Sequence, residues 1–92
     1  MEKKNQIAKG ISAIAAALAE LGCDEAMARE DIIEMLRLTG AGGADVLDEA
    51  VAYISRPPRH PVGAPGAVAR LNAQLTAREW LQRLAVDLRA GR

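Results

Sequence analysis

Few side chains in this sequence could do covalent chemistry. Nucleophilic catalysis needs a base beside the nucleophile and a third group to orient the base. Cys23 is the one thiol and His60 the one imidazole, and no local motif surrounds either. The hydroxyls are Ser12, Thr39, Ser55, Thr76 and Tyr53, a poor supply for hydrolysis. A metal centre would have to gather one Cys, one His and scattered carboxylates, with no ligand spacing to announce it. Carboxylates between Asp24 and Glu49 could make an acid–base pair, but solvated acids are ordinary on amphipathic helices. Gly40-Ala41-Gly42-Gly43 fails as a phosphate cradle, because no strand precedes it and no Lys-Ser or Lys-Thr follows. These residues predict a protein that is not an enzyme and has no catalytic, metal or cofactor site.

The elements that would position any site are helical. Ile7, Ile11, Ile14, Leu18 and Leu21 recur at spacings of four and three. At ~100° per residue they fall on one stripe of a helix. Alanine fills most positions between them, which lets neighbouring helices come close. The expectation is a central helix over 5–21, capped by Asn5, with that stripe fully buried. Asp24 predicts the cap of a second helix over 24–38, ended by Gly40, with Ala28, Ile32, Ile33, Met35 and Leu36 inward. A third helix is expected over 45–55, with Asp45 as cap and Val46, Leu47, Ala50, Val51 and Ile54 inward. Prolines 57, 58, 61 and 65 predict a stiff loop over 57–66, lying on the body and not tethering two domains. Beyond it, Val68, Leu71 and Leu75 predict a short helix over 67–74. Thr76-Ala77-Arg78-Glu79 has the form of a capping box, so a last helix is expected to start afresh and run over 77–90. Its stripe is Ala77, Leu81, Leu84 and Leu88, with Trp80 at the margin. The fold class is all-α: one domain over 1–92, a compact bundle of four principal helices plus one short helix.

With 92 residues, no Phe, one Trp and one Tyr, the core is thin, and a homodimer is a natural way to bury more surface. The net charge is zero but unevenly laid out. Residues 1–19 carry three lysines against one acid. Residues 20–49 carry nine acids against two arginines, and residues 50–92 carry seven arginines against two acids. Basic and acidic helices facing each other inside the bundle would account for this, as would one charged face shown to a partner. The lone cysteine fits a reducing cytoplasm. The segment from Lys3 to Cys23 has some features of a lipoprotein signal, but Glu20 stands where an aliphatic residue is needed, and the apolar run is too short to span a bilayer. Cytoplasmic location without membrane attachment is expected.

The composition favours a small protein–protein interaction module: an adaptor, an assembly subunit or an inhibitor that occupies another protein's surface. Small inhibitors encoded by phages and mobile elements share this general profile, by analogy and without a common motif. The candidate surface joins Met27, Asp31, Glu34 and Leu38 of the second helix to Asp45, Asp48 and Glu49 of the third. Its acids would steer a partner with a basic surface, and Met27 and Leu38 would anchor it. A competing surface is Tyr53, Arg56, Arg59 and Trp80, residue types frequent among hot spots. The alternative function is a nucleic-acid-binding regulator using Arg56, Arg59, Arg70, Arg78, Arg83 and Arg89. The helix that would enter the major groove of a helix-turn-helix, however, carries Asp45, Asp48 and Glu49, which phosphates repel.

Overall fold

A computed structural model describes residues 2–40, 43–54 and 66–91. They form four helices: α1 Glu2–Glu20, α2 Glu25–Thr39, α3 Gly43–Ile54 and α4 Ala67–Arg89, and no strand occurs among them. The fold is an all-α bundle, as the periodicity predicts. α1, α3 and α4 pack against one another in every pairing. α2 leans on α1 and α4 but scarcely touches α3, so α2 and α3 occupy opposite flanks of the α1–α4 pair.

The ends of α2 follow its sequence. The Asp24 carboxylate accepts a hydrogen bond from the backbone N–H of Met27 at 2.8 Å, and Gly40 closes the helix with φ of 69°. α1 ends in a Schellman turn. The N–H of Cys23 donates to the Leu18 carbonyl and that of Gly22 to the Ala19 carbonyl, with Gly22 at φ 82°. The turn sends α2 back antiparallel to α1, with Gly10 lying opposite Met35.

Three other starts differ from expectation. α1 begins at Glu2, leaving Asn5 exposed inside the helix. No Pro or Gly interrupts the first turns, so nothing in the backbone stops the helix from extending past Asn5. α3 begins at Gly43, two residues before Asp45. A Cβ at Gly43 would stand 3.1 Å from Leu88 Cδ1, so the glycine lets the head of α3 approach the tail of α4. Thr76 starts nothing. The segments expected over 67–74 and 77–90 are one continuous helix. Ala73, Ala77, Trp80, Leu81, Leu84 and Ala85 form an unbroken buried stripe through Thr76, and burying that stripe outweighs a local capping preference. Val68, Leu71 and Leu75, expected inward, lie off the stripe and are exposed. Apart from Gly66, the proline-rich loop lies outside the described residues.

The core is one cluster drawn from all four helices, with Ile11, Ile32, Val46, Leu47 and Leu81 as its largest fully buried members. In α1 the buried centre is Ala8, Ile11 and Ala15, with Ile7 and Ala19 partly buried around it. Ile14 is 37% exposed and Leu21 lies open in the turn. The expected stripe is therefore rotated. Alanines on either side of Ile11 let neighbouring helices pack close there, and Ile14 is left at the rim. Ile33 of α2, also expected inward, is exposed, while Met35 and Val51 pack partly buried against the core. The third helix otherwise matches, with Val46, Leu47, Ala50 and Ile54 buried.

Candidate interaction surface

The ion pairs sort the acidic residues into two groups. Arginines of α4 reach every other helix: Arg70 to Glu20 of α1 at 3.9 Å, Arg83 to Glu25 of α2 at 3.2 Å, and Arg89 to Asp48 and Asp45 of α3. α2 answers with Arg29, which pairs with Asp87 of α4. The hydrogen bond to Asp48, and then its negative charge, raise the pKa of the Arg89 guanidinium above its ordinary value. The acidic middle and basic end of the sequence thus face each other within the bundle. Exposed pairs of this kind contribute at most about 1 kcal/mol each. Their larger effect is to remove these charges from the outward field.

Another group of acids has no such partner. Glu30 and Asp31 are exposed and meet no basic side chain among the described residues, while Glu34 pairs only with Arg37, one turn along α2, at 2.5 Å. Asp31 and Glu34 lie on one stripe with Met27 and Leu38. At ~100° per residue the four fall within an arc of about 60°, well away from the buried Ala28–Ile32–Leu36 line. Met27 is 51% exposed and Leu38 75%. Met35 sits between this stripe and the core and faces Gly10, so the stripe borders α1 where Ile14 and Ala17 are also exposed.

The seven residues expected to form one surface therefore fall into two sets. Met27, Asp31, Glu34 and Leu38 are together on α2. Asp45, Asp48 and Glu49 are on α3, across the α1–α4 pair, with Asp45 and Asp48 held by Arg89 and Glu49 half-buried. The competing surface is not assembled among the described residues. Trp80 is 8% exposed and belongs to the interior. Tyr53 is half-buried, with the Lys9 ammonium over its ring at 5.5 Å. Arg56 and Arg59 lie outside the described residues. Of the arginines suggested for nucleic acid, Arg70, Arg83 and Arg89 are engaged by carboxylates, and Arg78 is exposed without an acidic partner among the described residues.

The residues considered for chemistry are also dispersed. The Ser12 hydroxyl donates to the Lys9 carbonyl and that of Thr39 to the Met35 carbonyl, each within its own helix. Cys23 is half-buried in the turn after α1, and His60 and Ser55 lie outside the described residues. Among the described residues no group of three or more His, Cys, Asp or Glu side chains could hold a metal ion. No described helix is long and apolar enough to cross a membrane.

One exposed feature was misread in the sequence. Val68, Leu71, Leu75 and Val86 stand exposed along one side of α4. Their angular offset from Ala77, Leu81 and Leu84 was the available signal. Compared with protein-family models, curated proteins and solved structures, the chain matches none.

Proposed function

We propose that this protein is a non-enzymatic interaction module that acts by occupying the surface of a partner protein, through the outer face of α2. One observation carries this reading. Met27 and Leu38, large and exposed, share a stripe with Asp31 and Glu34, whose charges the arginines of α4 do not reach. Exposed apolar side chains supply desolvated contact, and the surrounding acids supply steering and orientation. The α4 side has apolar residues with a single acid among them, Glu79, which pairs with Arg83, and on the α3 side Asp45 and Asp48 are already held by Arg89. Adaptor, assembly subunit and inhibitor are all roles that such a face could serve, in a reducing compartment such as the cytoplasm.

The test is affinity capture from a lysate of the source cells, with wild type and a Met27→Ser/Leu38→Ser variant as parallel baits. Both changes are on the surface, so the variant should keep its helicity and melting temperature. A protein retained by wild type and lost by the folded variant supports the reading. A partner retained equally by both would place the interaction elsewhere.

A further inference from the structure

We propose that the α2 stripe, with the adjoining flank of α1, receives a basic amphipathic helix of a partner protein. The inference rests on the α2-face reading above and adds the chemistry and shape of what binds. Charge comes first. Glu30, Asp31 and Glu34 line the exposed side of α2 and have one local arginine, Arg37, between them. The acids that could have been neutralised from within, Glu20, Glu25, Asp45 and Asp48, already are. A ligand entering along the stripe therefore meets net negative charge, which repels phosphate backbones and anionic lipid surfaces and attracts lysine and arginine.

A second copy of this chain fits poorly. Two stripes paired about a two-fold axis would set Asp31 and Glu34 against their own equivalents, and like charges brought together across an interface are costly.

Shape then selects a helix. The described residues offer no strand edge to which an extended peptide could add. Met27 and Leu38 stand eleven residues apart on one face, about 16 Å along the axis or three helical turns. Ile14 and the small Ala17 are exposed on the side of α1 that carries Gly10, which lies opposite Met35 of α2. A helix of comparable length can lay its apolar side on Met27, Leu38 and Ile14 and place basic residues against Asp31 and Glu34.

The probe is a synthetic helical peptide of about four turns, with leucines on one face and lysines flanking them. Two controls accompany it: the same peptide with glutamates for lysines, and one with the leucines scattered around the helix. Binding is followed by amide chemical shifts of the labelled full-length protein. The expected result is a cluster of shifts along α2 and around Ile14 and Ala17 with the basic amphipathic peptide only. Affinity should fall at least about threefold in Asp31→Asn/Glu34→Gln, and the difference should shrink with added salt. If the glutamate peptide binds the same face equally well, the basic partner is wrong while the α2 face stands. Shifts confined to other helices would overturn both. A concentration-dependent dimer that Leu38→Ser dissociates would show that a second copy is the occupant and would also overturn the proposal.

Discussion

Arg29 and Asp87 invert the charge of the helices that carry them. α2 is an acidic helix held by its arginine, and α4 is an arginine-rich helix held by its aspartate, in a pair that is partly buried. Two residues further on, Arg89 turns the other way to reach Asp48 of α3. At ~100° per residue, Asp87 and Arg89 point about 160° apart. One turn of α4 thus fastens both flanking helices, so α2 and α3 are tied to the same neighbour while scarcely touching each other.

Removing one partner of the Arg29–Asp87 pair should cost more than removing an open one. Asp87→Asn is expected to lower stability by about 1–2 kcal/mol, or several degrees in melting temperature for a chain of this size. A double-mutant cycle with Arg29→Gln should return a coupling of about 1 kcal/mol. Additive single effects would mean that the pair does not hold α2 in place.

The phase of α1 gives a sharper contrast. Ile11→Asp places a charge in the fully buried centre and should abolish cooperative unfolding. Ile14→Asp, at the rim, should be tolerated at a cost of about 1 kcal/mol. Thermal melts of the two variants decide between the observed seam and one centred on Ile14.

Thr76 tests the continuity of α4. As a residue inside a helix it should be replaceable by alanine with no loss, or a gain of a few tenths of a kcal/mol. As an N-cap it would lose about 1 kcal/mol on the same change. Thr76→Pro should cost about 3 kcal/mol or more, because the ring would clash and remove a backbone bond inside an unbroken helix.

The Arg89 contact makes a prediction about pH. Its folded-state pKa is raised, chiefly by the hydrogen bond to Asp48. The stabilisation is therefore fully present below the unfolded-state value and is lost only as pH rises through the higher folded value. That window lies in strong alkali. The melting-temperature difference between wild type and Arg89→Gln should stay flat between about pH 6 and about pH 9 and should narrow with salt. A difference that vanished near neutrality would assign the contact to another group.

What the sequence revealed and what it concealed divide along physical lines. Helix class, the Asp24 cap, the Gly40 stop and the inward face of α3 follow from short-range rules, and local chemistry decided them. The rotation of α1 was hidden because Ile14 and Ile11 are the same residue type. Only the positions of three neighbouring helices distinguish them, and these favour Ala8 and Ala15. The uninterrupted α4 was hidden because a capping box is a local signal and the stripe from Ala73 to Ala85 is a tertiary one. On the candidate surface, the grouping of Met27, Asp31, Glu34 and Leu38 was legible because all four lie on one helix. Their separation from Asp45, Asp48 and Glu49 was not, since it depends on which flank of the α1–α4 pair each helix takes.

Gly22 and Gly40, both at positive φ, bracket α2. Between them the helix is secured by the apolar line Ala28–Ile32–Leu36 with Met35 beside it, and by the ion pairs Arg29–Asp87 and Glu25–Arg83 to α4. It contributes Ile32 and Leu36 to the shared core but packs less extensively than the three mutually packed helices. α2 should therefore behave as a leaf that opens ahead of the rest, with its amides exchanging by partial unfolding while those of α1, α3 and α4 wait for the global event. A ligand gripping its outer side would close that leaf. Part of its binding free energy would then go into ordering the helix, and slowed amide exchange across α2 would report the occupied state.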